Sequence, residues 1–339
     1  MPQRMKVSRG VAIFPWPLAL AFVLAIWATF AVTTRPAMAQ ETCAEDDAEC
    51  WIKVLKKNDD KDAMRAAMAL GRLQSADAVD PLMDKLASKD QYMATAALQG
   101  LIKIGNPAIP ALVDGTQSKK AAVRKYSGYA LGKIGGGKAV DAIRRLVADP
   151  EPEVRQQAAR AFGTLGDKSA QINLVELLRD RSRKVRLEAI RSLSTMPSEN
   201  VAKPLVESGL SDLDHEVSME SAALLLKIGP GSIDPLLESL TDGAPYVRMR
   251  SAAVLGEVAL KAGEPERKLV RYRLLTVAQN KSEALEVRQG AVVGLGSVGG
   301  PEVEKALETI VEETTGKTEF QPLNKTAREA LARIRRTTS

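Results

Sequence analysis

Apolar and small residues recur down this chain in one phrase, written seven times: Met93-ATAALQGLIKIG, Val123-RKYSGYALGKIG, Val154-RQQAARAFGTLG, Val185-RLEAIRSLSTM, Val217-SMESAALLLKIG, Val247-RMRSAAVLGEV and Val287-RQGAVVGLGSVG. With the anchor as position zero, positions 0, 4, 7, 8 and 11 are apolar or small, the spacing of one helix face. Position 4 is always small (Ala97, Ser127, Ala158, Ala189, Ser221, Ser251, Ala291), and position 8 is always large (Leu101, Leu131, Phe162, Leu193, Leu225, Leu255, Leu295). Small residues let neighbouring helices approach while large ones fill the layer between them. The pattern predicts a helix sandwiched between copies of itself. Anchors follow one another at 30, 31, 31, 32, 30 and 40 residues, a period that means stacked units, none able to bury its apolar face alone.

Five residues before each anchor stands Ser88, Ser118, Asp149, Asp180, Asp212, Asp242 or Ser282. Each is a candidate N-cap, able to accept from the free donors of a starting helix. One residue after the anchor, five of the seven phrases carry arginine: Arg124, Arg155, Arg186, Arg248 and Arg288. An acid and an arginine six apart can pair within a unit or between neighbours, so Asp149, Arg155, Asp180, Arg186, Asp242 and Arg248 are expected to form a ladder along the stack. Glycine at the phrase end (Gly105, Gly135, Gly166, Gly229, Gly299) supplies a helix stop. Shorter apolar-periodic segments between the phrases read as first helices, four of them with a proline (Pro81, Pro110, Pro204, Pro235) expected to bend them. The unit is helix, turn, helix, and no period-2 strand pattern occurs.

The D-x4-V-R-x2-A-x2-A-L-G-x-I-G pattern, with proline in the preceding helix, resembles a HEAT repeat, in the short-period subtype associated with phycobilisome lyases. The resemblance implies an all-α fold: a right-handed α-solenoid of about eight to nine antiparallel helix pairs, with the second helices on the concave side. The array is expected over residues 61–315, an N-terminal cap over 40–60, and a linker with a capping helix over 316–339. Ser218 stands where other phrases have arginine, and the 40-residue step hides an insertion near Ala262–Pro265.

Residues 1–39 are a different kind of sequence. Arg4, Lys6 and Arg9 precede an apolar run from Val11 to Val32, and Ala37-Met38-Ala39 offers a cleavage site. This is the layout of a secretory signal peptide, which predicts a periplasmic or secreted protein. An uncleaved run would instead tether the chain to the inner membrane. Without the leader's four basic residues the balance is 48 − 4 = 44 basic against 42 acidic, and the formal charge falls from +6 to +2. The basic leader, rather than a basic face, sets the high pI, so no nucleic-acid partner is expected. Cys43 and Cys50 are seven apart, about 10 Å along a continuous helix, so a disulfide between them requires a turn.

Catalytic chemistry has little to work with. The single histidine, His215, falls between helices, and one His-Glu pair cannot build the di-iron site of the HEAT-repeat hydroxylases. No metal site, no cofactor and no nucleophilic triad is expected. The expected role is a non-catalytic scaffold or adaptor for a protein partner; the alternatives are a cofactor-handling enzyme of the bilin-lyase type and a membrane-anchored assembly factor. Positions pointing away from the stack place Lys125, Tyr126, Tyr129, Gln156, Arg160, Arg191, Met219, Met249 and Arg250 on the concave side. Lys125, Arg160 and Arg191 there would face an acidic stretch of the partner.

Overall fold

The structure, a computed structural model, describes residues 43–57 and 61–338. The leader reading, 1–39, lies outside the described residues. The first helix pair is α1 (Ala48–Lys57) with α2 (Lys61–Leu73), followed by α3 (Val79–Lys85) with α4 (Gln91–Ile104) and α5 (Ile109–Gly115) with α6 (Ala121–Ile134). Next come α7 (Gly137–Arg145) with α8 (Pro152–Leu165) and α9 (Gln171–Leu177) with α10 (Arg183–Leu193). In the sixth pair α11 (Ala202–Pro204) runs on as a π-helical turn, Leu205–Leu210, ahead of α12 (His215–Ile228). The last three pairs are α13 (Ile233–Asp242) with α14 (Pro245–Ala259), α15 (Glu264–Gln279) with α16 (Leu285–Val298), and α17 (Pro301–Thr314) with α18 (Gln321–Thr338). These nine pairs form the expected right-handed α-solenoid, with no strand among the described residues.

The phrase is the core. Its anchors are buried, and every position-8 residue from Leu101 to Leu295 is fully buried. The stacked region extends beyond 61–315 at both ends. Trp51, Val54 and Leu55 of α1 are buried against α2. In α18, Leu323, Ala327, Leu331 and Ile334 repeat the phrase spacing and are buried, so this helix closes a ninth pair.

Two local expectations are corrected. The residues five before each anchor are not N-caps. The caps stand two residues later, at Asp90, Lys120, Glu151, Ser182, Asp214, Ala244 and Ala284. Asp149, Asp180 and Asp212 instead accept from the N–H two residues on, at 2.7–3.0 Å, an Asx-turn that aims the chain into the helix. The prolines Pro81, Pro110, Pro204 and Pro235 sit in the first turn of α3, α5, α11 and α13, directly after a 3-10 turn. No α-helical hydrogen bond is lost there, so the expected kink is replaced by a 3-10-to-α transition.

Second helices stack on second helices, and their spacing is written at position 9. Where that position is glycine, the next helix lies against its backbone: a Cβ on Gly132 would meet Ala161 Cβ at 2.7 Å, and one on Gly256 would meet Gly294 O at 2.1 Å. Gly71 against Gly100, Gly163 against Ser192 and Gly296 against Ala330 repeat the arrangement. Three junctions break it, with Ile102, Ser194 and Leu226 at position 9, and there α4/α6, α10/α12 and α12/α14 are the more loosely apposed neighbours.

Candidate functional sites: the charge ladder and the second-helix face

The ladder runs between neighbouring units, and each arginine also ties down its own. The Arg124 Nε and Nη2 donate to both oxygens of Asp149 (2.6 and 2.8 Å), while Nη1 donates to the Ser118 carbonyl at 2.9 Å. Arg155 does the same to Asp180 (2.6 and 2.9 Å) and the Asp149 carbonyl at 2.7 Å. Arg186 donates to Asp212 (2.6 and 3.3 Å) and the Asp180 carbonyl at 2.9 Å. Forked, charge-assisted bonds of this kind are strong and fix orientation. Burial alone would raise the Asp149 and Asp180 carboxyls, but the guanidinium bond and the following N–H outweigh it and hold both below the ordinary carboxylate range. The same bonds raise Arg124 and Arg155.

Arg248 corrects the expected ladder. It donates to Glu283 Oε1 at 2.6 Å and to the Gly243 carbonyl at 2.8 Å, because Ser282 holds the position where other units have aspartate. The Asp242 carboxylate, the acceptor that a residue-218 arginine would meet, makes no hydrogen bond or ion pair among the described residues. Ser218 is buried and donates to the His215 carbonyl, and Arg250 of the next unit reaches back to the Leu210 and Asp212 carbonyls at 2.9 and 2.8 Å. Arg250 thus takes over half of the missing arginine's work and is committed to the stack, its guanidinium 5.5 Å from the Tyr246 ring centre.

Clefts open where rungs are missing. One of ≈ 370 Å³ lies between Leu205–Leu210 and α13, lined by Lys203, Glu238, Asp242 and Tyr246. Another, ≈ 590 Å³, lies between α3 and α5 and includes Ser118, the acceptor left over because Ala94 replaces arginine in α4. The long arginine side chain stitches one unit to the next, and its absence leaves the groove between successive first helices unfilled.

On the second-helix face the predicted residues divide into two groups. Arg160 donates to Glu188 through Nε at 3.1 Å and Nη2 at 2.7 Å, with Gln156 Nε2 on the same carboxylate at 3.2 Å. Burial would raise Glu188, but these donors hold it low. Arg191 pairs with Glu216 at 3.0 Å, which also receives Arg183. The acidic complement expected from a partner is therefore supplied by Glu188 and Glu216 inside the array. Sequence spacing could not reveal this, because the partners lie 25–28 residues apart. Lys125 and Lys133 instead sit over the rings of Tyr126 and Tyr129, at 4.9 and 5.8 Å from the centroids. Met219 is 57% exposed and Met249 half-buried. His215 opens α12 instead of lying between helices, and it is exposed.

At the N-terminal end the turn that a disulfide requires is present. Asp47 N–H donates to the Ala44 carbonyl and Ala48 N–H to that of Asp46, both at 3.1 Å, and Trp51 Nε1 closes on Ala44 at 3.0 Å. Cys43 and Cys50 are both disulfide-bonded, and no described cysteine is free. Among the described residues no three His, Cys, Asp or Glu side chains are grouped to hold a metal ion. No described helix is long and apolar enough to cross a membrane.

Comparison with known proteins bears on this architecture. The family model for HEAT repeats matches residues 48–132, 109–194, 142–226 and 173–256, more than half of the chain. Among solved structures, importin beta shares the fold at 13% identity and a TM-score of 0.55, over 85% of this chain and 45% of its own. An engineered protein aligns at 22% identity and 0.43, covering 85% of this chain and 88% of its own. The CpcE–CpcF complex of phycocyanin lyase from Nostoc sp. aligns at 22% and 0.41, over 44% of this chain and 99% of its own. No curated protein matches the sequence. With the family model matched over more than half of nine stacked helix pairs, the chain belongs to the HEAT repeat family.

Proposed function

We propose that this chain is an exported, non-catalytic scaffold that holds a protein partner along its second-helix face. The observation that carries the reading is how that face divides its chemistry. Arg160 and Arg191 are paired with glutamates of the array and Arg250 with its backbone carbonyls, so what the face leaves for another molecule is Tyr126 and Tyr129 under their lysines and the exposed Met219. Tyrosine anchors interfaces well, and methionine adapts to varied apolar surfaces. The partner segment is accordingly helical or extended, with apolar side chains against this stripe and few acids. Export rests on the composition of residues 1–39, with cleavage after Ala39 and function in the periplasm or outside the cell.

A photo-crosslinking residue placed at Tyr126 or Met219, in cells that make the full chain, is expected to trap one and the same protein. The control is Ile172 of α9, 73% exposed on the first-helix side. Equal trapping of that protein from Ile172 alone would move the interface to the other face. N-terminal sequencing of the mature protein checks export, and a start at Met1 would overturn it.

A further inference from the structure

Every arginine of the ladder but one meets a carboxylate. Arg124, Arg155, Arg186 and Arg248 hold Asp149, Asp180, Asp212 and Glu283. Arg288, the fifth, occupies the same position of its phrase and is only 5% exposed. Its Nε donates to the Ala278 carbonyl at 3.0 Å, and no ion pair reaches it among the described residues. The reason lies in the next unit. Five residues before Leu323, the anchor of α18, stands Thr318 in place of an aspartate. The junction is otherwise of the tight kind, with Gly296 against Ala330. A guanidinium has been buried as in the other rungs, and no carboxylate bonds to it among the described residues.

The surroundings of Arg288 are shaped for an anion. It lines a cleft of ≈ 190 Å³ together with Lys281, Glu313, Thr314, Lys317 and Phe320. Three cations there face one carboxylate, and that one, Glu313, is taken by Lys281 at 3.0 Å. Burial pushes the Arg288 guanidinium down, and the nearby Glu313 carboxylate offsets this only in part, the reverse of Arg124 and Arg155, whose bonded carboxylates raise them. A buried charge without a partner is costly, and a charged ligand with matching acceptors removes that cost.

We propose that the Arg288 cleft binds a carboxylate from another molecule, which completes the ladder at its C-terminal end. Four precedents in the same chain favour this group over other anions: at each, the guanidinium at this position binds a carboxylate. Phe320 offers an apolar wall to the methylenes behind the acid, and Lys317 lies on the cleft's rim. The carboxylate is either that of a free small acid or the side chain of an Asp or Glu on a bound protein.

The test uses the full mature chain and the variant Thr318→Asp, which gives this unit the aspartate that Asp149, Asp180 and Asp212 supply five residues before their own anchors. Melting temperature is read in chloride, succinate and phosphate at matched ionic strength. The wild type is expected to melt several degrees higher in succinate than in chloride, while Thr318→Asp melts higher already in chloride and gains nothing further. Arg288→Lys, which keeps the charge but loses the fork, should lose most of the succinate response. An end-capped peptide carrying one glutamate separates the sources: protection by the peptide at lower concentration than succinate assigns a protein side chain, and the reverse assigns a free acid. A wild type indifferent to succinate and peptide alike, a response to phosphate alone, or a Thr318→Asp variant that still responds like the wild type would each overturn the assignment.

Discussion

The α14/α16 and α12/α14 junctions are neighbours in one stack, built from the same phrase, and they are joined in opposite ways. At α14/α16 the backbones touch through Gly256 and Gly294, and Arg248 bridges to Glu283. At α12/α14 Leu226 stands where Gly256 stands, Ser218 where Arg248 stands, and a cleft of ≈ 370 Å³ lies beside the unpaired Asp242. The α4/α6 junction repeats the second pattern with Ile102 and Ala94. Position 9 sets how closely two helices approach, and position 1 decides whether a guanidinium spans the gap. Tight spacing and a rung occur together at α6/α8, α8/α10 and α14/α16, whereas α2/α4 and α16/α18 are tight without a carboxylate rung. A branched aliphatic residue at position 9 and a missing rung occur together at α4/α6 and α12/α14. The α10/α12 junction is intermediate: Ser194 loosens it, and Arg186 still reaches Asp212, with one arm stretched to 3.3 Å. The array is therefore not uniform along its length, and its two open seams are where it is expected to flex.

The largest expected effect comes from breaking a tight junction at its rung. Arg155 and Asp180 side chains are each 7% exposed. Arg155→Ala strands the Asp180 carboxylate and the Asp149 carbonyl, and is expected to cost about 3–5 kcal/mol in urea unfolding. The same truncation at Arg183, 47% exposed, should cost well under 1 kcal/mol, roughly the worth of a surface pair. Equal losses at the two positions would show that burial is not what makes a rung matter. Next comes Gly256→Leu, which gives α14/α16 the side chain of the loose junction without the room for it. Forcing these backbones apart should cost about 2–3 kcal/mol, and a neutral result would refute position 9 as the spacer.

Acid acts on each rung more gently, because a protonated aspartate can still hydrogen-bond. Asp149 and Asp180 titrate lower in the folded chain than when unfolded, where aspartate lies at about 3.9. Their contribution is whole above that value and fades as the pH falls through the lower folded one. Hydrogen exchange followed from about pH 5 to pH 3 should show α8 and α10 losing protection before α2 and α4, which pack through Gly71 and Gly100 with no arginine rung between them. Simultaneous loss would mean that the rungs do not distinguish these regions.

Much of this was readable in the chain, and the unreadable part has one cause. Positions 0, 4 and 8 name the core because burial follows helix period, and the terminal glycines name the stops, all five at positive φ, from 63° to 86°. The repeat also names the residues of the ladder. It misplaces their roles, since an aspartate before a helix reads as a cap, whereas Asp149 turns the chain and at the same time receives Arg124 from 25 residues upstream. Arg160 and Arg191 read as free cations for the same reason: their glutamates sit in the next unit, at a distance no helical period reports. Arg250 is the hardest case, because its partners are backbone carbonyls 38 and 40 residues away. The glycine at position 9 was in plain view within A-L-G-x-I-G, and its meaning appears only when two copies are laid against each other.

The smallest effect sharpens the comparison most. Ser218→Arg restores the missing residue of the loose junction and offers Asp242 the guanidinium that its counterparts already hold. Arg250 already occupies the Asp212 carbonyl that a new arginine would also seek, so only the carboxylate half of the rung is open. The expected gain is about 1 kcal/mol. Adding Asp242→Asn should remove it, since the two sites would then share one interaction. Leu226 holds α12 and α14 apart, so the gain from Ser218→Arg should grow when Leu226→Gly lets the helices close. A gain that ignores Leu226 would separate spacing from bridging and leave the pairing of glycine with arginine along the stack without a physical cause.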